Sequence, residues 1–354
     1  MSEQITQLQQ ELHATLRQAE KNRRKLTLYR SLCYGGALLY FIGMIVVQVF
    51  AYSGNVSMFY TLNPNPSFFE KYKLLIFIAP LFVIITLGSF GLSVFYRKFT
   101  EAEQSAIRRI IKAMFPEAKL ALLPSEISKS QLLQSNFFGG VNSQNSDGYS
   151  YGTVIFENGG RKITFRDMVI KTGIKGNWIS QSSIGGMFLI FKMMFKGIFA
   201  ARVENMVSNF RGMFAFAQLE KKINGSVVVL PDHLESKLDY LAKNIQSLKN
   251  VNGNKLVMLE DVEFERYFAV YASDEITARY VLTPAMMFRM TELKKKYNRD
   301  IMLSFNGDSF YFAVAMPEGF LTLGTSSLTS GEALKDLYDN FVAAQGLLSD
   351  LKLQ

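Results

Sequence analysis

Four carboxylates crowd residues 260–265: Glu260, Asp261, Glu263 and Glu265, with Arg266 beside them and Arg279 further on. Carboxylates this dense could hold a hard divalent cation, which wants several oxygen ligands. Their spacing matches no known cation loop, however, and no glycine marks a bend. On a strand Asp261, Glu263 and Glu265 would share one face, whereas a helical turn would scatter them. The expectation is structural: the acids cap a turn and form ion pairs with Arg266 and Arg279, tying strand to helix. Arg279 is the expected buried partner, and a buried pair specifies geometry more than it adds stability. No metal ligand set is predicted.

Other chemistry-bearing residues are sparse. There are two histidines, His13 and His233, and one cysteine, Cys33. His233 follows Pro231-Asp232, where Asp232 suits the N-cap of a helix, and no GxSxG elbow supports a Ser-His-Asp arrangement. A lone cysteine excludes an intramolecular disulfide, a multi-cysteine zinc site and a CxxC redox centre. Walker A, dinucleotide and HExxH signatures are missing. Trp178 reads as a core residue. No catalytic residue and no cofactor are predicted.

The elements that would position these residues begin with two uncharged apolar stretches, residues 31–53 and 74–96, each 23 residues long. At about 1.5 Å per residue each covers ~34 Å, enough to cross a ~30 Å hydrocarbon core. Arg17, Lys21, Arg23, Arg24, Lys25 and Arg30 precede the first stretch; Arg97, Lys98, Arg108, Arg109 and Lys112 follow the second. Between them lie only Lys71 and Lys73. The positive-inside rule then places both termini in the cytoplasm and residues 54–73 outside. The net charge of +9 is concentrated there: residues 1–116 carry 13 Lys/Arg against 6 Asp/Glu, and residues 117–354 carry 26 against 24. That distribution points to anionic headgroups rather than to nucleic acid. Residues 1–30 read as an amphipathic cytoplasmic helix, with Ile5, Leu8, Leu12, Leu16 and Ala19 along one side. Its neighbour would be the basic helix of residues 97–116, although self-association through that face, giving a homo-oligomer, is also compatible with the pattern.

Residues 117–354 form the expected cytoplasmic domain. Residues 138–150 read as a polar loop, and Asn158-Gly159-Gly160 as the turn of a hairpin between strands 151–156 and 161–165. Short strands follow at 227–230, 255–259 and 268–271. Helices are expected at 233–248, 285–297 and 331–351, with a hairpin at 301–305/310–315 turning on Asn306-Gly307-Asp308. Strands and helices in irregular order argue for an α+β domain behind a two-helix transmembrane hairpin. Residues 184–201 are apolar apart from Lys192 and Lys196, four apart and so on one helical face, with Phe188, Phe191 and Phe195 around the rest. Two readings stand: a buried helix with snorkelling lysines, or an interfacial helix in which these five residues touch the membrane surface. A third span would cost roughly 2.5–3.5 kcal/mol per central lysine.

The string Leu259-Glu260-Asp261-Val262-Glu263-Phe264-Glu265-Arg266-Tyr267, continuing to Ala278-Arg279-Tyr280-Val281-Leu282-Thr283-Pro284, resembles the bacterial membrane-anchored family known as domain of unknown function 3137. Phe210-Arg211-Gly212-Met213-Phe214 with Val227–Asp232 upstream and Leu303-Ser304-Phe305 with Phe310–Val314 downstream are similar to further signatures of that family. Where the family often carries an acidic-proline motif, this chain has Phe320-Leu321-Thr322-Leu323-Gly324. The resemblance implies a multi-pass protein of the bacterial inner membrane and brings no catalytic residues. It also implies a LemA-type membrane protein as a partner candidate. The function expected is that of a membrane-tethered, non-enzymatic adaptor or scaffold. The alternative is a membrane-associated enzyme or lipid-handling protein using the cluster 260–265 or an apolar pocket near 184–201. A closed cavity in which Glu260, Glu263 and Arg279 converge would favour the alternative, and an open apolar surface the adaptor.

Overall fold

The computed structural model describes residues 2–53, 68–138, 146–158, 161–172, 208–219, 221–232 and 253–323, together with residues 328, 335, 337–339 and 341. Two long helices lead, α1 (Ser2–Ser53) and α2 (Phe68–Met114). They lie antiparallel: Arg109 donates to Thr15 Oγ1 at 3.1 Å, Asn22 Nδ2 to the Lys98 carbonyl at 3.3 Å, and Tyr29 Oη to the Leu87 carbonyl at 3.4 Å. Both run unbroken through residues 30 and 96, so the expected borders between polar helix and apolar stretch fall inside continuous helices.

The side chains change character along this pair. Leu12, Leu16 and Ala19 join Ala106, Ile107, Ile110 and Ile111 in one buried cluster, at the three- and four-residue spacings of a helix stripe. Beyond residue 30 the outward positions turn apolar, with Leu39 71% and Phe90 72% exposed, alongside Leu32, Ile42, Ile45, Val83 and Leu87. A stretch within Gln10–Val46 is long and apolar enough to cross a membrane.

After α2 the chain builds one antiparallel sheet. Short strands β1 (Lys119–Ala121) and β2 (Ser125–Glu126) and helix α3 (Lys129–Gln134) precede the long strands β3 (Ser146–Asn158), β4 (Arg161–Thr172) and β5 (Ser208–Gln218). Then come β6 (Ser226–Pro231), β7 (Lys255–Val257), helix α4 (Val262–Glu265), β8 (Phe268–Ala272), helices α5 (Glu275–Val281) and α6 (Pro284–Tyr297), and the hairpin β9 (Ile301–Asn306) and β10 (Ser309–Ala315). The order is β1-β3-β4-β5-β10-β9-β6-β8-β7, with β2 also on β3. This is an α+β fold.

Alternation along the strands supplies two apolar faces. Val227 and Val229 of β6 join the larger core, which includes α1, α2, Phe264, Met286 and Met290. Val228 and Leu230 point into a second core with Ile127, Leu132, Phe137 and Phe138. β3 begins at Ser146, inside the stretch expected as a polar loop. Ser-Asp-Gly reads locally as turn chemistry, but residues 146–150 pair with 168–172 of β4, and Gly148 lies under Leu132 with no room for a side chain. Pairing overrides composition there. The expected helix 233–248, the segment 184–201 with Lys192, Lys196, Phe188, Phe191 and Phe195, and Trp178 lie outside the described residues. Of the expected helix 331–351, Lys335, residues 337–339 and Phe341 are described, and they are helical.

Gly212 of β5 pairs with Ala315 of β10, and a Cβ there would meet the Val314 carbonyl oxygen. Gly212→Ala is expected to cost about 1–3 kcal/mol through overpacking, read as earlier thermal unfolding of the detergent-purified chain. An unchanged midpoint would show that the strands can part without loss.

Candidate functional site

Two places in the fold gather charged groups, and they differ in kind. The first is buried. Arg211 of β5 and Asp167 of β4 form an ion pair of 2.8 Å, with side chains 4% and 2% exposed. Arg211 also lies over the Tyr151 ring, 5.0 Å from its centroid. Gly319 leaves the space its guanidinium occupies, since a Cβ there would strike Nη2. Among the described residues, the Nε and Nη1 groups of Arg211 have no hydrogen-bond partner. Asp167 does a second job: its Oδ1 accepts the Phe320 N–H at 2.9 Å.

That second bond belongs to a set. The segment leaving β10 is buried at Phe320, Leu321, Leu323 and Leu328, so its N–H groups need internal acceptors. Glu103 of α2 accepts the Leu323 N–H at 3.0 Å, and Glu20 of α1 accepts the Leu328 N–H at 3.3 Å. Glu20 is balanced by Arg23 and Arg24, each 2.9 Å away. Burial pushes the Glu20 carboxyl up. The hydrogen bond from Arg24, the Leu328 N–H and the charge of Arg23 outweigh that, and its pKa falls below the ordinary value.

The second place is open. A groove of about 520 Å³ has a buried apolar floor of Leu259, Leu282 and Met287, with the exposed Val262 and Pro284 and the polar Glu260, Asp261 and Arg279 around it. Asp261 is the N-cap of α4, its Oδ1 accepting the Glu263 and Phe264 N–H groups at 3.0 Å each. Because 262–265 is a helical turn, the acids diverge. Glu263 turns to Lys295 of α6 at 2.5 Å, Glu265 accepts the Leu259 N–H, and Glu260 reaches Arg279 at 3.2 Å. Arg279 is raised in pKa chiefly by its hydrogen bond with Glu275, 2.8 Å away.

The expected burial of Arg279 is corrected by its exposure of 43%. It lies one helical turn from Glu275 on the outer side of α5, while the apolar Ala278 takes the inward position. The buried arginine is instead Arg211, whose flanking phenylalanines were the only hint in the sequence. Its partner Asp167 stands 44 residues away, beyond any local signal. Arg266 is exposed and has no ion pair among the described residues. Glu260, Glu263 and Arg279 do not converge in a closed cavity. Among the described residues no three of His, Cys, Asp and Glu gather into a metal-sized cluster. His13 is exposed on α1, and His233 lies outside the described residues. The same elements expose Val262, Ile276, Tyr280 and Phe288.

The model of the family described as "Protein of unknown function (DUF3137)" matches residues 208–353. No curated protein matches the chain. Among solved structures, the crystal structure of the mycobacterial trehalose monomycolate transport factor A, TtfA, is similar over 68% of this chain and 92% of that one, at 10% identity and a TM-score of 0.33.

Arg211→Met removes the buried ion pair with Asp167 and is expected to cost about 3–5 kcal/mol, seen as a lowered unfolding midpoint. Adding Asp167→Asn removes the buried carboxylate charge and keeps an acceptor for Phe320, so the double variant recovers much of the loss. If it is no better than the single variant, the charge is not what matters. Glu20 has a depressed folded pKa, so its contribution is full above the unfolded carboxylate value of about 4.3 and disappears as pH falls through the lower folded one. The midpoint difference between wild type and Glu20→Gln should therefore be steady from pH 7 to 5 and shrink under more acidic conditions.

Proposed function

We propose that this chain, which belongs through residues 208–353 to the DUF3137 family of unknown function, is a membrane-anchored adaptor. In this reading α1 and α2 form a transmembrane hairpin with residues 31–53 and 74–96 in the bilayer. Both termini and the α+β domain lie on the cytoplasmic side of a bacterial inner membrane. The domain offers its open groove to another membrane or envelope protein.

One observation carries the reading. On the same two helices the described exposed positions are mostly charged or polar from residue 10 to residue 25 and from residue 97, whereas Leu28, Leu32, Leu39, Ile42, Ile45, Val83, Leu87 and Phe90 between them are apolar and exposed. An exposed apolar belt of that kind is costly in water and favourable in lipid. The basic residues Arg23, Arg24, Lys25, Arg97 and Lys98 border it, as anionic headgroups favour. In the sheet domain, the groove is open and lined by Leu259, Leu282 and Met287 with the exposed Val262, which suits protein contact better than catalysis on a small molecule. Anchoring confines that surface to one plane and raises its effective concentration toward partners there.

Reporter fusions at Gln354 and within residues 54–73 should report cytoplasm and exterior respectively, and an external C-terminus would refute the arrangement. Photo-cross-linkers at Val262 and Pro284, both exposed and lining the groove, should yield a discrete adduct with a membrane protein in whole cells. The same group at Glu126, on β2 far along the sheet, should not. Equal labelling from all three sites would count against the groove.

A further inference from the structure

Between α1 and α2, at the level where their outer faces turn from apolar to charged, lies a cleft of about 490 Å³. Lys25 and Asn22 of α1 face Lys98 and Phe95 of α2 across it, with Gln18 and Glu101 deeper along the helices. Asn22 bridges the helices by donating to the Lys98 carbonyl. The nearby acids are already engaged: Glu20 with Arg23 and Arg24, and Glu101 with Arg97 at 3.8 Å. Lys25 and Lys98 are exposed and have no ion pair among the described residues. Two ammonium groups thus flank one cleft beside the ring of Phe95, while the carboxylate that lines it, Glu101, faces Arg97.

We propose that this cleft binds the phosphate of one anionic phospholipid of the cytoplasmic leaflet, an assignment that rests on the membrane-spanning reading above. Lys98 lies two residues, about 3 Å of helix rise, past the apolar stretch of α2, and the bond from Asn22 to the Lys98 carbonyl sets Lys25, three residues on, within about 5 Å of the same level. A headgroup layer of roughly 5–7 Å and lysines that reach toward it along their stems place both ammoniums at phosphate depth. Asn22 offers an amide donor to a phosphate ester, and Phe95 gives the glycerol and upper acyl carbons an apolar wall. Basic pockets between spanning helices on the cytoplasmic side select anionic headgroups by this combination. Because residues of both helices line the cleft, the bound lipid would bridge α1 and α2.

The test uses the full chain reconstituted in nanodiscs of phosphatidylcholine with a minor fraction of phosphatidylglycerol, with lipid retained through native mass spectrometry as the readout. Wild type should keep one phosphatidylglycerol. Lys25→Gln/Lys98→Gln should weaken its retention about 30-fold, on roughly 1 kcal/mol for each lysine. Arg17→Gln/Lys21→Gln removes the same charge outside the cleft and should retain the lipid as wild type does. Equal losses in both double variants would overturn the cleft in favour of diffuse surface charge. Displacement of the lipid by millimolar inorganic phosphate would overturn it in favour of a free-anion site. Alkaline extraction of native membranes separates the two levels of the argument. If the chain is released, the spanning reading fails and the lipid site with it. If it stays in the membrane while the lysine variant keeps its lipid, only the cleft assignment fails.

Discussion

Three carboxylates on three different elements each accept one backbone N–H from the same short piece of chain. Asp167 on β4 takes Phe320, Glu103 on α2 takes Leu323, and Glu20 on α1 takes Leu328. The segment is forced to seek them because its side chains are committed to the apolar core, where an unmatched amide costs about 1–3 kcal/mol. A carboxylate is the stronger acceptor for that purpose, but a buried charge must be balanced. Arg211 does this for Asp167, and Arg23 and Arg24 for Glu20. Sheet, α1 and α2 are therefore joined through one strip of main chain rather than by general apolar contact alone.

This arrangement fixes the helix pair against the sheet. A flexible linker would leave the domain free to turn relative to its helices. Instead Leu12, Leu16 and Ala19 of α1 and Ala106, Ile107, Ile110 and Ile111 of α2 share one continuous core with the sheet. Phe115, just past α2, packs edge-on against Phe156 of β3, with ring centroids 5.4 Å apart. Side chains packed at this density do not deform gradually. The orientation of the groove is thus set by the helix pair, since α4, α5 and α6 pack on the same core as the helices do.

Charged residues in this chain illustrate how position governs role. Arg279 and Glu260 meet at the surface, where such a pair contributes about 0–1 kcal/mol. Arg211 and Asp167 meet in the interior, where the pair costs desolvation and gains meaning from the Phe320 bond and the Tyr151 ring. Asp261 and Asp274 act locally as helix N-caps, and the Asp274 carboxyl is lowered chiefly by the Thr277 N–H it accepts.

Much of the architecture was legible in the linear order of residues because its signals are local. The apolar stretches, the turn at Asn306-Gly307-Asp308 between β9 and β10, the Thr283-Pro284 start of α6 and the alternation of Val227–Leu230 each depend on neighbours within a few positions. The family resemblance likewise rests on contiguous strings. What depends on pairing across long separations was not legible: β3 extending back to Ser146, Arg211 finding Asp167, Glu103 finding Leu323 across 220 residues. The acidic run 260–265 could be read as a cluster, but only the helical turn of α4 and the placement of Lys295 and Arg279 decided that its members point apart. Helix and turn propensities are encoded within a few residues of themselves, whereas burial and partner choice are properties of the assembled core, and there the tertiary structure alone decided which charges became fixed points of the fold.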